Sequence, residues 1–269
     1  MIKIKKSSIF HKKEYKYAII YLPFNIYRQE GCALKVMKEP KRVLLKLSGE
    51  ALARNGSYDE EEIKRIAGEV KKLHDAGTQI CIVIGGGNIW RGRTGVEIDR
   101  TKSDTIGMLA TVMNCIYVSE HFRYAGLKTS VMTPFICGSF TELFSKDLAE
   151  RYLEDGKVLF FAGGTGHPYF STDTLMSLRA IEMNVDIILA AKAIDGVYDK
   201  DPGKYPDAVK YDKISIDEVV ERKLGVIDLF ASCLLMENRI PMRIFSLTEP
   251  DSVSNSLSDS FSGTMVTID

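Results

Sequence analysis

Three apolar runs in this chain each break at a glycine turn, and that pattern narrows the fold more than any other feature. The first is Val43-Leu44-Leu45-Lys46-Leu47-Ser48-Gly49-Glu50. The second is Ile80-Cys81-Ile82-Val83-Ile84-Gly85-Gly86-Gly87-Asn88, and the third runs from Val158 through Ala162 to Gly163-Gly164-Thr165-Gly166. Short, β-branched apolar runs read as strands buried on both faces, as in a parallel sheet. Glycine at the carboxyl end lets bare backbone N–H groups approach an anion closely. With a lysine in the first run and Arg91 beside the second, the three turns point to two phosphate-bearing ligands held together.

Composition bounds the rest. A chain of 269 residues, 45% hydrophobic and 27% charged, fits one large α/β domain or two small ones. Net charge is zero, which gives no overall signal for nucleic acid. The charge is uneven, however. Residues 1–40 carry nine of the 36 basic side chains and three of the 36 acidic ones, leaving 27 basic and 33 acidic for the rest. The basic part reads as a flexible appendage, with Met37 as a possible working start, and residues 41–269 read as the folded body. The five cysteines are scattered without a Cys-x-x-Cys pair, and the four histidines are isolated. That argues against a zinc site or a disulfide framework and for a reducing, cytoplasmic setting. The apolar stretch Tyr17 to Ile26 is too short to span a bilayer.

Beyond the tail, strands and helices alternate, which argues a mostly parallel sheet covered on both faces. Ile63, Ile66, Val70 and Leu73 predict a helix over 60–75. Further helices are expected at 104–125, 142–155, 172–184, 216–223 and 228–238. Strands are expected at 43–48, 79–84, 128–132, 158–162, 186–190 and 242–247, with a hairpin-like end at 263–268.

No Gly-x-x-x-x-Gly-Lys-Ser/Thr and no Gly-x-Gly-x-x-Gly follows the first strand, so neither a P-loop nor a dinucleotide fold is supported. Lys46 alternates in phase with core residues. A cation there is costly unless its charge is used, and a transferring phosphoryl group would use it; the plainer reading is an edge-strand lysine snorkelling to water. Gly85-Gly86-Gly87 and Arg91 offer N–H donors and a guanidinium fork. Asp104 either caps the long helix or accepts from a ribose hydroxyl. Gly163 to Thr174 combines glycine N–H groups, four hydroxyls and a helix N-terminus, with Ser171-Thr172-Asp173-Thr174 reading as the cap. Tyr169 and Phe170 are candidates to flank a base, and Tyr198, among acidic residues, to bracket an adenosine. Asp228 reads as a helix cap by default.

Taken together, Lys46-Leu47-Ser48-Gly49-Glu50-Ala51-Leu52, Val83 through Gly92, Asp104 with Gly107-Met108-Leu109-Ala110-Thr111-Val112-Met113-Asn114, Ala162 through Thr174, Asp195-Gly196-Val197-Tyr198 with Asp201-Pro202, Asp228 and Ile240 through Phe245 resemble the bacterial-type uridylate kinases of the amino acid kinase superfamily. The resemblance covers roughly residues 41–269. It implies a three-layer α/β/α sandwich with a mostly parallel central sheet. It also implies transfer of the ATP γ-phosphoryl group to UMP, giving UDP in pyrimidine nucleotide biosynthesis, with Mg²⁺ held mainly by phosphates and not directly by protein. By position it assigns ATP contacts to Lys46, Leu47, Ser48, Gly49, Gly87, Arg91, Lys192, Tyr198 and Asp201. UMP contacts fall on Gly86, Asp104, Thr165, Gly166, His167, Pro168, Tyr169, Phe170, Ser171 and Thr172. Lys46 and Arg91 become the catalytic cations, and Asp228 the residue that orients the lysine. A homohexamer, GTP activation, UTP inhibition and no need for membrane or nucleic acid follow from the same resemblance.

The chain also departs from that pattern. The loop after Leu52 and the stretch between Arg91 and Asp104 are shorter than usual. Ala190-Ala191-Lys192-Ala193 replaces the more usual Lys-Ala-Thr-Lys, and His167 stands where asparagine is common. Two other readings fit the same segments: a superfamily kinase acting on a carboxylate or carbamate, and a non-catalytic nucleotide-binding or storage protein.

Overall fold

The computed structural model describes residues 40–268 except Asn55 and 92–96. The basic stretch expected over 1–40 therefore lies, but for Pro40, outside the described residues. In chain order the strands are β1 (Arg42–Leu47), β2 (Ala53–Arg54), β3 (Ser57–Tyr58), β4 (Gln79–Ile84), β5 (Lys128–Thr133), β6 (Glu142–Leu143), β7 (Lys157–Phe161), β8 (Ile187–Lys192), β9 (Val197–Tyr198), β10 (Lys210–Tyr211), β11 (Lys213–Ser215), β12 (Met242–Ser246) and β13 (Thr264–Thr267). The α-helices are α1 (Glu60–Asp75), α2 (Arg100–Tyr124), α3 (Lys146–Glu154), α4 (Thr172–Glu182), α5 (Ile216–Glu221) and α6 (Leu229–Asn238).

One nine-stranded sheet runs β11-β13-β12-β8-β1-β4-β7-β5-β6. Pairing is parallel from β12 through to β6; only the β12–β13 pair is antiparallel. The hairpin-like end is thus β13, which folds back on β12 and is extended by β11. β2–β3 and β9–β10 form two small separate ribbons. The sequence pattern does not reveal β6 or β11, because strands of two or three residues are too short to display a period.

Two apolar layers hold helices to the sheet. On one face Val43, Leu45 and Leu47 of β1 meet Ile63, Ile66 and Val70 of α1 and Val112, Cys115 and Phe122 of α2. On the other, Leu44 meets α3 through Ala149 and Leu153, α4 through Leu175 and Met176, and α6 through Ala231 and Leu235. The period of two along β1 therefore sends Lys46 to the same side as Leu44, toward α4 and α6. Burial pushes the thiols of Cys81 and Cys115 up to about 12, which leaves them inert core residues.

One buried carboxylate ties the far end of the chain to this body. Glu69 of α1 accepts from the backbone N–H groups of Asp251, Val253 and Ser254 and pairs with Arg65. Arg65 in turn donates to the carbonyl of Leu247, just past β12. Glu69→Ala leaves those three donors without their acceptor, and urea unfolding should show a loss of about 3 kcal/mol.

Candidate active site

Parallel pairing decides where the glycine turns go. β1, β4 and β7 are consecutive in the sheet and run the same way, so their carboxyl ends lie side by side. The first two turns touch. Gly85 N–H donates to Leu47 O at 3.1 Å, and a Cβ added to Gly49 would sit 2.2 Å from Gly85 O and 2.6 Å from Asn88 Oδ1. Only glycine fits there. The second and third turns are joined through α2: Gly163 N–H donates to Thr111 Oγ1 at 2.8 Å, and a Cβ on Gly86 would meet Gly107 O at 2.9 Å.

The second and third turns border a cleft of about 540 Å³, and the first lies behind Gly85 of the second. The cleft walls include Gly86, Gly87, Trp90, Asp104, Met108, Gly164, His167, Phe170, Ser171, Thr172, Asp173, Lys192 and Asp228. Lys46 is not snorkelling from an edge. It lies on a central strand with its side chain 13% exposed, and its Nζ pairs with Asp173 Oδ1 at 3.0 Å in the first turn of α4.

Two helix starts are locked together beside this pair. Ser171 caps α4, accepting from the N–H groups of Asp173 and Thr174. Asp228 caps α6, its Oδ1 accepting from Ala231 N–H at 2.9 Å. Both expected caps are present, and they meet: Ser171 Oγ donates to Asp228 Oδ2, and Thr174 Oγ1 donates to the same oxygen at 3.0 Å. The carboxylate thus sets the α4 terminus that carries Asp173. From Asp228 the route to Lys46 runs through the first turn of α4, which carries Asp173.

Lys192 brings a second cation to the same face. Ala190 is the register partner of Lys46, and Lys192 lies two residues on along β8. Its Nζ donates to Val226 O in the loop before α6. Burial pushes this ammonium below the ordinary lysine range, while Asp173 pulls it back and Lys46 adds to the depression.

On the opposite wall Asp104 is not a cap. α2 begins at Arg100 and is capped by Asp99, whose side chain accepts from Lys102 N–H, because the helix starts a turn earlier than its apolar face shows. Asp104 instead faces the cleft, its Oδ2 accepting from Arg100 Nε and from Tyr169 N–H, each at 2.8 Å. Phe170 lines the cleft and packs edge-on against Phe230 at 5.9 Å. Tyr169 does not flank the cleft with it: at φ 72° its ring turns outward, 5.5 Å below the Arg100 guanidinium.

Other expected residues sit apart from the cleft walls. Arg91 pairs with Glu50 at 2.6 Å on the surface. Thr165 closes its own turn through the His167 backbone, and Gly166 and Pro168 belong to the same turn. Tyr198 donates to Asp195 Oδ1 at 2.8 Å in the β9 ribbon, and Asp201 pairs with Lys204 at 3.0 Å. Residues not singled out one by one in the sequence, Thr111, Asn114, Asn88 and Tyr58, prove to hold the turns. Thr111 and Asn114 lie in the quoted Gly-Met-Leu-Ala-Thr-Val-Met-Asn segment, but nothing local tells a turn-holding side chain from a core one.

Comparison with known proteins agrees with this geometry. The model of the amino acid kinase family matches residues 41–246. The chain belongs to the amino acid kinase family. Within the family it is 44% identical over 222 residues to the uridylate kinase of Paramagnetospirillum magneticum, an alignment covering 81% of this chain and 92% of the relative. The crystal structure of UMP kinase from Bacillus anthracis superimposes with a TM-score of 0.82 at 35% identity, covering 86% of this chain and 98% of that one. The UMP kinase of Ureaplasma parvum does so with a TM-score of 0.81 at 32% identity, covering 86% and 100%. The central sheet and its two helical layers are therefore those of the amino acid kinase fold.

The joined caps give a direct test. Ser171→Ala should cost about 1–2 kcal/mol in urea unfolding. In a cycle with Asp228→Ala the two losses should fall short of additive by at least 0.5 kcal/mol, since each removes the same bond. Strict additivity would show that the caps act separately.

Proposed function

We propose that this chain transfers the γ-phosphoryl group of ATP to UMP, giving ADP and UDP for pyrimidine nucleotide biosynthesis. The observation that carries the reading is the Lys46–Asp173 pair at the head of α4, beside a cleft of about 540 Å³ lined by glycines of the second and third turns. Phosphoryl transfer asks little covalent chemistry of a protein. It needs in-line positioning and neutralisation of charge on the transferring group. The phosphate of UMP is itself the nucleophile, so no strong general base is required.

In this reading the donor side is built by Lys46, Leu47, Ser48, Gly49, Gly87 and Lys192, with Arg91, Tyr198 and Asp201 serving it from the periphery. Lys46 exchanges Asp173 for phosphate oxygens as the nucleotide enters. The acceptor side is built by Gly86, Asp104 and the stretch Thr165 to Thr172. Asp104 already spends one oxygen on Arg100 and Tyr169, which leaves the other to accept a ribose hydroxyl. Phe170 and His167 flank the base, and the N-terminus of α4 adds its partial positive charge between the two ligands.

Magnesium fits this site as a companion of the nucleotide. Asp173 is paired with Lys46, and Asp228 is committed to two hydroxyls and a backbone N–H. Among the described residues no group of three His, Cys, Asp or Glu side chains gathers to hold a metal. A cation that keeps its waters and binds mainly through phosphates suits such a donor set. When bound, it supplies further neutralisation of phosphate charge.

Self-association into a homohexamer is part of the proposal. Ile106, Leu109 and Met113 lie at helical spacing on the outer face of α2 and are 37%, 46% and 58% exposed, a face suited to a second copy. No helix among the described residues is long and apolar enough to cross a membrane. We place the enzyme in the cytoplasm, where its free thiols stay reduced.

A coupled ADP-release assay comparing UMP, CMP, acetylglutamate and aspartate tests the reading, with UMP expected to be strongly preferred. Equal rates on all four would overturn it. The same assay with GTP or UTP added reads out whether effector control persists with the shortened loop after Leu52. Lys46→Ala should raise the barrier by about 2–4 kcal/mol.

Lys192 adds a pH signature. Its folded pKa is depressed, so between that value and the ordinary 10.5 the unfolded chain holds more protons. The stability cost of its buried charge is complete below that window and is relieved as pH rises through it. ATP binding changes in the opposite sense, because the cation disappears over the same window. ATP affinity should therefore begin to fall at a pH below the ordinary lysine range, and Lys192→Arg should abolish that early fall.

A further inference from the structure

The middle glycine turn is held by a buried relay that runs from Asn114 to the half-buried Tyr58. Asn114 of α2 is fully buried. Its Nδ2 donates to Gly85 O at 2.7 Å and to Asn88 Oδ1 at 2.7 Å. A carbonyl can only accept, so the amide nitrogen must face Gly85, and this fixes the direction of the whole side chain. The Asn114 Oδ1 then accepts from Asn88 Nδ2 at 3.1 Å and from the Tyr58 hydroxyl at 2.6 Å. Both ends of the amide are satisfied, and the two asparagines form a reciprocal pair under the turn Gly85-Gly86-Gly87-Asn88.

Tyr58 comes from a different part of the fold. It belongs to the β2–β3 ribbon after the first glycine turn, and its ring stacks on Tyr117 of α2 at 4.0 Å with the planes 16° apart. The hydroxyl is aimed by that stack. Gly49, from the first turn, packs against Gly85 O and Asn88 Oδ1, the same two atoms that Asn114 holds. One turn earlier on α2, Thr111 receives the N–H of Gly163. The middle turn is thus fixed from below by Asn114 while its neighbours are placed against it.

We propose that Asn114, held in direction by Tyr58, is a positioning residue for phosphoryl transfer, acting through the Gly85–Asn88 turn on Gly86 and Gly87, which line the cleft. The inference rests on the reading of the site as a kinase centre. Neither side chain is among the cleft-lining residues, so both act through the turn. Small errors in the placement of such donors are felt mainly in the transition state, where the geometry must be met most closely.

The test is steady-state kinetics with ATP and UMP on full-length wild type, Tyr58→Phe, Asn114→Asp and the double variant, with thermal unfolding of each. Tyr58→Phe keeps the ring stack and loses only the hydroxyl. It should lower kcat about three- to tenfold while both KM values stay within about twofold and the Tm within a few degrees. Asn114→Asp, which has at most one O–H to offer where the amide gives two N–H donors to Gly85 O and Asn88 Oδ1, should lower kcat by more than about thirtyfold. The double variant should lose little beyond Asn114→Asp alone, because Tyr58 works through Asn114. Should Asn114→Asp fail to fold, the KM-against-kcat split of Tyr58→Phe decides by itself. Wild-type kcat in Tyr58→Phe, or a fall in kcat matched by rising KM values and a lowered Tm, would overturn the relay while leaving the kinase reading intact. Absence of UMP turnover in the wild type would overturn both.

Discussion

The parallel pairing of β1 between β4 and β8 is the constraint on which the rest depends. Parallel strands present all their carboxyl ends at one edge of the sheet, so turns far apart in the sequence become neighbours. The register then fixes chemistry as well as shape. Lys46 lies beside Ala190, and the alternation that buries Val43, Leu45 and Leu47 against α1 and α2 turns Lys46 toward α4. A shift of one residue would send the ammonium into the apolar layer under α1 and leave Asp173 without its cation. Lys46 is thus placed by the same pattern that forms the core.

Around that edge, the site is a set of polar groups that hold one another at measured distances. Asp228 fixes the cap of α4, the cap fixes Asp173, and Asp173 holds Lys46. Asn114 and Thr111 fix the glycine turns on the other side. Each group is buried or half-buried, where an unpaired partner is expensive. The result is a cleft whose walls are held by hydrogen bonds among their own residues, and fixed donors of this kind are how a protein lowers the barrier to phosphoryl transfer without contributing a covalent step.

Much of this was legible in the chain. The apolar runs at Val43, Ile80 and Val158 mark central strands because burial on both faces forbids polar interruption. Ser171 and Asp228 read as caps because capping is a local matter, decided by a side chain and an N–H two or three residues on. Other features were not legible. Asp104 reads as a possible cap, yet the helix begins at Arg100; nothing local says that Arg100 and the Tyr169 N–H would claim its carboxylate. Tyr169 and Phe170 read as a pair flanking a base, but the left-handed backbone at Tyr169 sends the two rings apart. β6 and β11 escape notice because they owe their existence to the strands beside them.

By itself, then, the sequence determined the class of fold, the positions of its principal strands and helices, the caps, and the family-specific residues that imply a nucleotide kinase. The first three follow from periodicity, backbone preference and local hydrogen bonding, which act over a few residues; the kinase implication follows from the resemblance those residues bear to a known family. Only the tertiary structure decided that the two caps share one carboxylate oxygen, that Lys46 is held by Asp173, that Lys192 reaches the same face, and that Tyr58 steers a glycine turn through Asn114. Those pairings join residues tens of positions apart, and their partners are chosen by the register of a parallel sheet and the packing of helices upon it.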